Sequence, residues 1–498
     1  MSKGKGLTLP HPFFSSRPSW KWFILTTVLV GATMSALDVS IVNVAMPTLK
    51  DEFGVSMALI EWVAMAYMLT LTIFLPLFGR LADMFGRTKL YTTGFAVFTA
   101  GSVLCGMAPS AAFLIGARVI QAVGAGLLQA NSVAIITQAF PSSERGKAIG
   151  IQGAVQAVSM SVGPFVGGIL IAAVGWRAIF YVNLPIGIIG IAFALLILPK
   201  SEKSAKKEKI DYFGVLTFAS GLACLVLALN EGAKEGWTSP LILTYFILAA
   251  ILLPAFVLTE LKVQYPMIDL KLFKSYSFAV GNLTGMLSYY VLFAVLFLMP
   301  FYLEQVMGLG VALTGSLLTP IPLAMAIVAP FSGSISDKYG SRVMTASGMF
   351  VCAVSMFFMM FAGQHSSLVL LVSELVVLGI GMGMFTPPNN SAIMGSAPKE
   401  KLGVAGGVLN MMRSLGLIFG VDISGLIFST LKNQYLNEKG YASHASNIPV
   451  TVRDSAFMSG FVVVIVVLLA INVISAILSV AKKDAALDSE AAKEFLAE

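Results

Sequence analysis

The chain has 498 residues, 57% of them hydrophobic and only 11% charged, with a formal net charge of +7. A soluble globular protein carries about 25% charged residues, so most of this chain cannot face water, and its mean hydropathy of +0.86 says the same. The basic excess sits in short segments between apolar runs, a pattern of membrane topology rather than of nucleic-acid binding.

Apolar runs approaching or exceeding the roughly 20 residues that a helix needs to cross a bilayer recur along the whole chain. Lipid offers no water to backbone groups, so spanning segments are helices or closed barrels. Unbroken runs without strand alternation choose helices. The first run begins near Trp22; it is too long for the apolar core of a signal peptide and has no small-residue cleavage site. Fourteen spans are expected, near 22–46, 60–78, 90–107, 112–138, 148–174, 179–198, 212–229, 240–259, 278–302, 312–332, 343–363, 367–392, 404–429 and 456–480. An even count puts both termini on one side. That side then holds 24 Lys and Arg, the other side six, and Arg118 and Arg413 fall inside spans. The bias makes the terminal side cytoplasmic and the expected location a multi-pass inner membrane. The basic segment 199–211 and the tail after Lys482 read as solvated, and Asp211-x-x-Gly214 as the start of span 7.

The chemistry-bearing residues are few. Cys105, Cys224 and Cys352, like His11, His365 and His444, are scattered and build neither a disulfide framework nor a metal site. The sequence has no phosphate-binding Gly-x-x-x-x-Gly-Lys-[Ser/Thr] run. No enzyme and no cofactor is expected.

An internal repeat organises the chain. Gly79-Arg80-Leu81-Ala82-Asp83-Met84-Phe85-Gly86-Arg87 follows span 2, and Gly333-Ser334-Ile335-Ser336-Asp337-Lys338-Tyr339-Gly340-Ser341 follows span 10, 254 residues later. Duplication of a six-helix unit accounts for both copies. The expected division is a six-helix bundle at 1–198, a linker with two inserted spans at 199–277, a second bundle at 278–480 and a tail at 481–498. Glycines at 79, 86, 333 and 340 allow a tight turn and close helix approach. Asp83 and Asp337 can meet the positive end of a neighbouring helix, and Arg87 can pair with the acid. Contacts of this kind exist in one conformation and break in another, so the segments read as a latch.

Span 5 carries small residues at Gly150, Ser159, Gly163, Gly167 and Gly168, with Pro164 after Gly163. Small residues let helices pack closely, and the Gly-Pro step weakens the helical ladder. Ionisable residues inside spans are costly, at least about 2.5 kcal/mol each at a helix centre, and so need a reason. Asp38 in span 1 reads either as a proton or cation site or as a structural hydrogen-bonding group. Arg118 in span 4 keeps its charge and needs a counter-charge or a wet cavity, with Asp38 a possible partner. Glu61 opens span 2, Glu374 lies in span 12 and Asp422 in span 13. All three are candidates for proton or substrate binding. Arg413 joins them as a candidate for the coupling and substrate site, either paired with an acid or as a gate contact; it lies nine residues before Asp422, about 13.5 Å along a helix, too far to pair with that one. Tyr67, Phe301, Tyr302 and Phe385 could add aromatic walls to a pocket, and Asn389 and Asn390 polar ones.

These segments resemble the major facilitator superfamily. Leu37-Asp38-Val39-Ser40-Ile41-Val42-Asn43-Val44-Ala45-Met46-Pro47 is similar to the first-span signature of its fourteen-span drug:proton antiporters. Arg118-x-x-Gln121 is similar to the basic motif of span 4, with Ala122 where that motif has Gly, and span 5 to the antiporter motif, with Ser159 for a Gly. Trp176-Arg177-x-x-Phe180-x-x-Asn183-x-Pro185-x-Gly187 adds a further match. The resemblance implies an all-α major facilitator fold of two six-helix bundles plus two central helices. It implies alternating access and export of amphipathic, cationic or neutral organic compounds against protons, by a monomer in the bilayer that uses the transmembrane proton gradient. It also implies that spans 1 and 4 line a central cavity, where Asp38 and Asp422 would share one vestibule. A transporter of one dedicated metabolite or lipid-like compound, and a non-transporting sensor or scaffold, are the competing readings.

Overall fold

The computed structural model describes residues 19–199, 211–363, 366–441 and 448–481. The described residues form helices and no strand. Fourteen spans follow in order: α1 Trp20–Phe53, α2 Met57–Phe85, α3 Arg87–Gly106, α4 Ala111–Ala139, α5 Ser142–Val174, then α6, built from Ala178–Tyr181 and Asn183–Ile197. Next come α7 Tyr212–Glu235, α8 Pro240–Lys262, and α9, which is Tyr276–Phe301 continued by a π-turn at Tyr302–Val306. α10 joins Val311–Leu318 to Pro320–Tyr339, and α11 Ser341–Met359, α12 Leu368–Gly395, α13 Leu402–Glu438 and α14 Val450–Val480 complete the set. Thirteen of them are long and apolar enough to cross a membrane. The exception, α3, is diluted by threonine, glycine and serine, yet it packs along its whole neighbour α4. Most of the segment 199–211, the tail after Lys482 and His11, His365 and His444 lie outside the described residues. Asp211 does cap α7, accepting from the Gly214 N–H at 2.9 Å.

The two segments expected to be loops are helix almost to their ends. α2 runs to Phe85 and α10 to Tyr339, and Gly86 and Gly340 alone make the breaks, with φ of +101° and +87°. That region of backbone space suits glycine and penalises a side chain. One residue therefore reverses the chain between long helices.

The repeat is visible in the packing. α1 lies against α5 as α9 lies against α13; α3 against α4 as α11 against α12; α2 against α4 as α10 against α12; α3 against α6 as α11 against α14. Buried apolar residues gather around Tyr91, Phe95, Phe98 and Leu128 in the first half, in a cluster that continues into Val404, Val408 and Leu409 of α13, and around Met299, Tyr302, Phe457 and Phe461 in the second. α7 and α8 pair with each other, and α7 touches α2 and α13. Asp269, in the segment between α8 and α9, forms an ion pair with Lys401 just before α13. Burial alone would push the Asp269 carboxyl up; hydrogen bonds from Lys401 and the Lys271 N–H outweigh it and hold the group below the usual carboxylate range.

The halves meet through α2 against α13 and α5 against α10, the same contact in two copies. Glycine makes both possible. A Cβ on Gly79 would stand 2.2 Å from the Gly403 carbonyl oxygen, and one on Gly333 would stand 2.1 Å from that of Gly146. A Cβ on Gly407 would stand 2.6 Å from the Leu75 carbonyl oxygen, and one on Gly150 2.4 Å from that of Ala329. These approaches gather at the end of the bundle where α2 and α10 terminate. By contrast, α1 and α9, which both line the space between the halves, make at most marginal contact. Gly79→Ala and Gly333→Ala should push their helix pairs apart by about 1 Å at that end to restore van der Waals distance. Spin-label distances across α2–α13 and α5–α10 should lengthen, while Gly168→Ala, whose Cβ meets nothing within 4 Å, should change neither.

Candidate functional site

The first polar centre is sealed in the N-terminal half. Asp38 on α1 is fully buried and Arg118 on α4 nearly so. Arg118 Nη1 donates to Asp38 Oδ2 at 2.6 Å and to Gln121 Oε1 at 2.6 Å, while its Nε donates to the Val63 carbonyl at 3.1 Å. The other carboxylate oxygen, Asp38 Oδ1, accepts from Gln121 Nε2 at 2.7 Å and Asn183 Nδ2 at 3.0 Å. Both amides also donate to the Ser102 hydroxyl. The guanidinium lies 4.0 Å over the Tyr67 ring. Five spans, α1, α2, α3, α4 and α6, thus contribute to one network. Taking two charges out of water costs several kcal/mol per ion, and only near-complete hydrogen bonding offsets that. Here the pair and both amides supply it. The spacing Arg118-x-x-Gln121 puts both side chains on one face of α4, one turn apart.

The second centre is a cavity of about 570 Å³ between the halves. It is lined by α1, α2, α4 and α5 on one side and by α9, α10, α12 and α13 on the other. The size suits a small organic molecule. Apolar residues such as Met68, Leu71, Met160, Phe293 and Met382 form much of the wall, and Gln129, Gln152, Gln156, Asn390 and Asn410 place amides among them. Arg413 is the sole charged side chain among its described lining residues. Pro164 lines the cavity, and its neighbours Gly163 and Gly167 press against Ser40 and Ile41 of α1. Ser159, standing where glycine was expected, returns its hydroxyl to the Val155 carbonyl at 2.7 Å and so stays inside its own helix. Gly168 faces open space. In α12 the carbonyl of Gly383, which Pro387 deprives of its helical donor, accepts instead from the Ser332 hydroxyl of α10 at 2.6 Å.

In each copy of the repeat a carboxylate joins the two halves where α2 and α10 end. The Asp83 carboxylate accepts from the N–H groups of Gly403 and Val404, both at 2.9 Å, at the start of α13. Those donors have no partner inside their own helix, and a carboxylate there also meets the positive end of the helix dipole. Arg87 donates to Asp83 through Nε and Nη2 and reaches the Lys399 carbonyl at 2.8 Å. In the second copy Asp337 accepts from the N–H groups of Gly146 at 2.8 Å and Lys147 at 3.0 Å in α5. Ser341 stands there in the place of Arg87.

The other expected residues fall elsewhere. Asp38 and Asp422 share no vestibule, and neither lines the cavity. Ala36 and Val39 face it; Asp38 turns the opposite way, toward α3, α4 and α6. Asp422 is half-buried on α13, with Oδ2 lacking a hydrogen-bond partner. Glu374 is buried on α12, and its Oε2 also lacks one. Glu61 is half-buried at the start of α2, outside the cavity wall. Tyr67, Tyr302 and Phe385 are packed inside their halves and Phe301 is exposed, so none of the expected aromatics lines the cavity, whereas Asn390 does. Tyr289, Phe293 and the glutamines of α4 and α5 supply the walls instead. Gln152 and Gln156, four residues apart in an apolar span, were the signal available in the sequence for that face.

Comparison with known proteins agrees with this architecture. The Major Facilitator Superfamily pattern matches residues 28–421. The riboflavin transporter RibZ of Clostridioides difficile (strain 630) is 39% identical over 444 residues, covering 89% of this chain and 95% of that protein. The multidrug transporter protein MdtP of Bacillus subtilis (strain 168) is 31% identical, over 85% of this chain and 78% of that one. Among solved structures, human MFSD10 (TETRAN), an organic anion transporter, superposes with a TM-score of 0.66 over 93% of this chain and 100% of that one, at 13% identity, a likeness of fold alone. For the sealed network, Arg118→Met strands Asp38 and should destabilise the protein by about 3–5 kcal/mol. Thermal melting in detergent reads that loss, and the double variant Asp38→Leu/Arg118→Met should recover most of it.

Proposed function

The chain belongs to the Major Facilitator Superfamily, and on that premise we propose that it is a proton-driven exporter of amphipathic organic compounds, of the fourteen-span drug:proton antiporter type. The observation that carries the reading is the cavity between the halves, walled by both of them and floored by two matched latches. A site reached from one side at a time is what alternating access requires. On this reading the termini and both latches lie on the cytoplasmic face, as the basic bias supports, and the paired helix ends there close the cavity to the cytoplasm. The division into bundles at 1–198 and 278–480 around an insert at 199–277, action as a monomer and residence in the inner membrane belong to the same proposal.

Proton coupling is assigned to carboxylates that the fold keeps from water. Asp38 is one, because a proton there competes directly with Arg118 for the same oxygen and would loosen a network that joins five spans. Asp422 and Glu374 are the others, each with a buried oxygen that nothing in the described residues satisfies. The cationic preference expected from the sequence has no lining carboxylate to support it among the described residues, so it is not carried forward. Transport of one dedicated metabolite is the second reading, favoured by the likeness to a riboflavin transporter over nearly its whole length.

Everted membrane vesicles energised by respiration test the coupling. Adding a transported compound should dissipate part of the pH gradient, and Asp38→Asn should abolish that response. An unchanged response in Asp38→Asn, with loss in Asp422→Asn or Glu374→Gln, moves the proton to the second half. No response to any compound while substrate flux persists in liposomes removes antiport.

A further inference from the structure

We infer that the central cavity holds an aromatic compound bearing a negatively charged group, and that Arg413 is the side chain that meets that group. The inference narrows the substrate class of the cavity that the transport reading already uses, and it rests on that reading for its setting.

Arg413 is half-buried in the first third of α13, at its twelfth residue, and its guanidinium carries a full charge. Its protein partners are neutral. Nη2 donates to the Tyr289 hydroxyl, Nη1 to Asn410 Oδ1 at 3.4 Å, and the guanidinium lies 4.5 Å over the Tyr289 ring. Asn410 is itself fixed, its Nδ2 donating to the Gln129 carbonyl at 3.0 Å across the halves and to the Gly406 carbonyl at 2.9 Å. A guanidinium carries five N–H donors, so most of its capacity is left for whatever enters the cavity. Asp422, on the same helix, lies about 13.5 Å along the axis. No carboxylate is among the described lining residues.

The contrast with Arg118 sharpens the point. That guanidinium has a carboxylate and two acceptors from other groups, and it is sealed away from the cavity. Arg413 has the same side chain, opens onto the cavity and is oriented by neutral groups only. A guanidinium held this way is a ready fork for a carboxylate, sulfonate or phosphate. The wall beside it is aromatic: Tyr289 and Phe293 both line the cavity, stacked with centroids 6.4 Å apart and planes 20° apart. A ring lying on that wall would bring an acidic substituent to Arg413. A cationic compound in the same place would face an unpaired like charge in apolar surroundings.

Three probes sharing one ring separate the possibilities: 2-naphthoate, 2-naphthamide and 2-naphthylmethylammonium. Binding to the purified full-length protein is read by thermal stabilisation in detergent. The naphthoate should bind at least about tenfold more tightly than the amide, and the ammonium more weakly than both. Arg413→Gln should erase the preference, a loss of roughly 10- to 100-fold for the naphthoate. Arg413→Lys, which keeps the charge but not the fork, should hold the ranking at reduced affinity. The wild-type ranking decides the ligand class even where the glutamine variant does not fold, and the lysine variant then tests the residue. No binding of naphthoate, equal or tighter binding of the ammonium, or an unchanged preference in Arg413→Gln overturns the inference. Flux in proteoliposomes separates the two readings. Arg413-dependent binding of the anion without gradient-driven flux leaves the inference and removes the exporter, whereas proton-driven flux of the ammonium alone does the reverse.

Discussion

A guanidinium that cannot give up its charge, enclosed in an apolar bundle, needs a carboxylate against it. The N-terminal half is arranged around that need. Asp38 and Arg118 satisfy one another, and Gln121, Asn183 and Ser102 occupy much of the remaining hydrogen-bonding capacity. The consequence is mechanical as well as electrostatic. Five spans are tied to one buried point, and each is held in place by the others. A sealed pair of this kind adds little net stability over an apolar replacement. It defines how α1, α3, α4 and α6 sit relative to each other.

The second half repeats the architecture without repeating this centre. Its charges, Arg413, Glu374 and Asp422, do not gather into one network. One opens onto the cavity, and the two acids each keep an unpartnered oxygen. An asymmetric division follows, in which one half carries a closed, self-satisfied polar core, and the other presents Arg413 to the cavity while Glu374 and Asp422 stand apart from it. The duplication supplied two equivalent scaffolds, and the ionisable residues differentiate them.

Much of the fold is legible in the sequence, because lipid imposes length and hydropathy on every span and the Gly-x-x-x-Asp segments mark the repeat at a fixed offset. The latch is legible too, since a glycine four residues before an acid at a helix end has few other uses. Its form was not: Gly79 to Phe85 is helix, because Gly86 alone can turn the chain. For Asp38 and Arg118 cost says only that each needs a reason or a partner, and the structure brings them together at 2.6 Å. What the sequence hides is the direction a residue faces. A buried membrane helix is apolar all round, so its pattern gives depth but little azimuth. Asp38 has the depth expected of a cavity residue and turns away from the cavity. Arg413 faces it. The aromatic wall was misplaced for the same reason, with Tyr67 and Phe385 in the cores and Tyr289 and Phe293 on the cavity.

The latches set what opening at their end must overcome. Four main-chain N–H groups end on two carboxylates, Asp83 and Asp337, and hydrogen bonds to charged groups are worth about 1.5–3 kcal/mol each. Water can replace them once the helices part, because these contacts lie at the bundle end, and Asp83 keeps Arg87 as a partner within its own half. The glycine contacts above them, Gly79 with Gly403 and Gly333 with Gly146, hold backbone against backbone with no side chain between. Such contacts are lost over a separation of about 1 Å, since dispersion falls off steeply with distance. Closure at this end is therefore short-range at each of the two helix pairs. A ligand bridging both halves in the cavity acts on this balance only through its differential affinity for the two states, and Asn410, bonded to Gln129 across the halves directly beside Arg413, is placed where a bound group would first be felt.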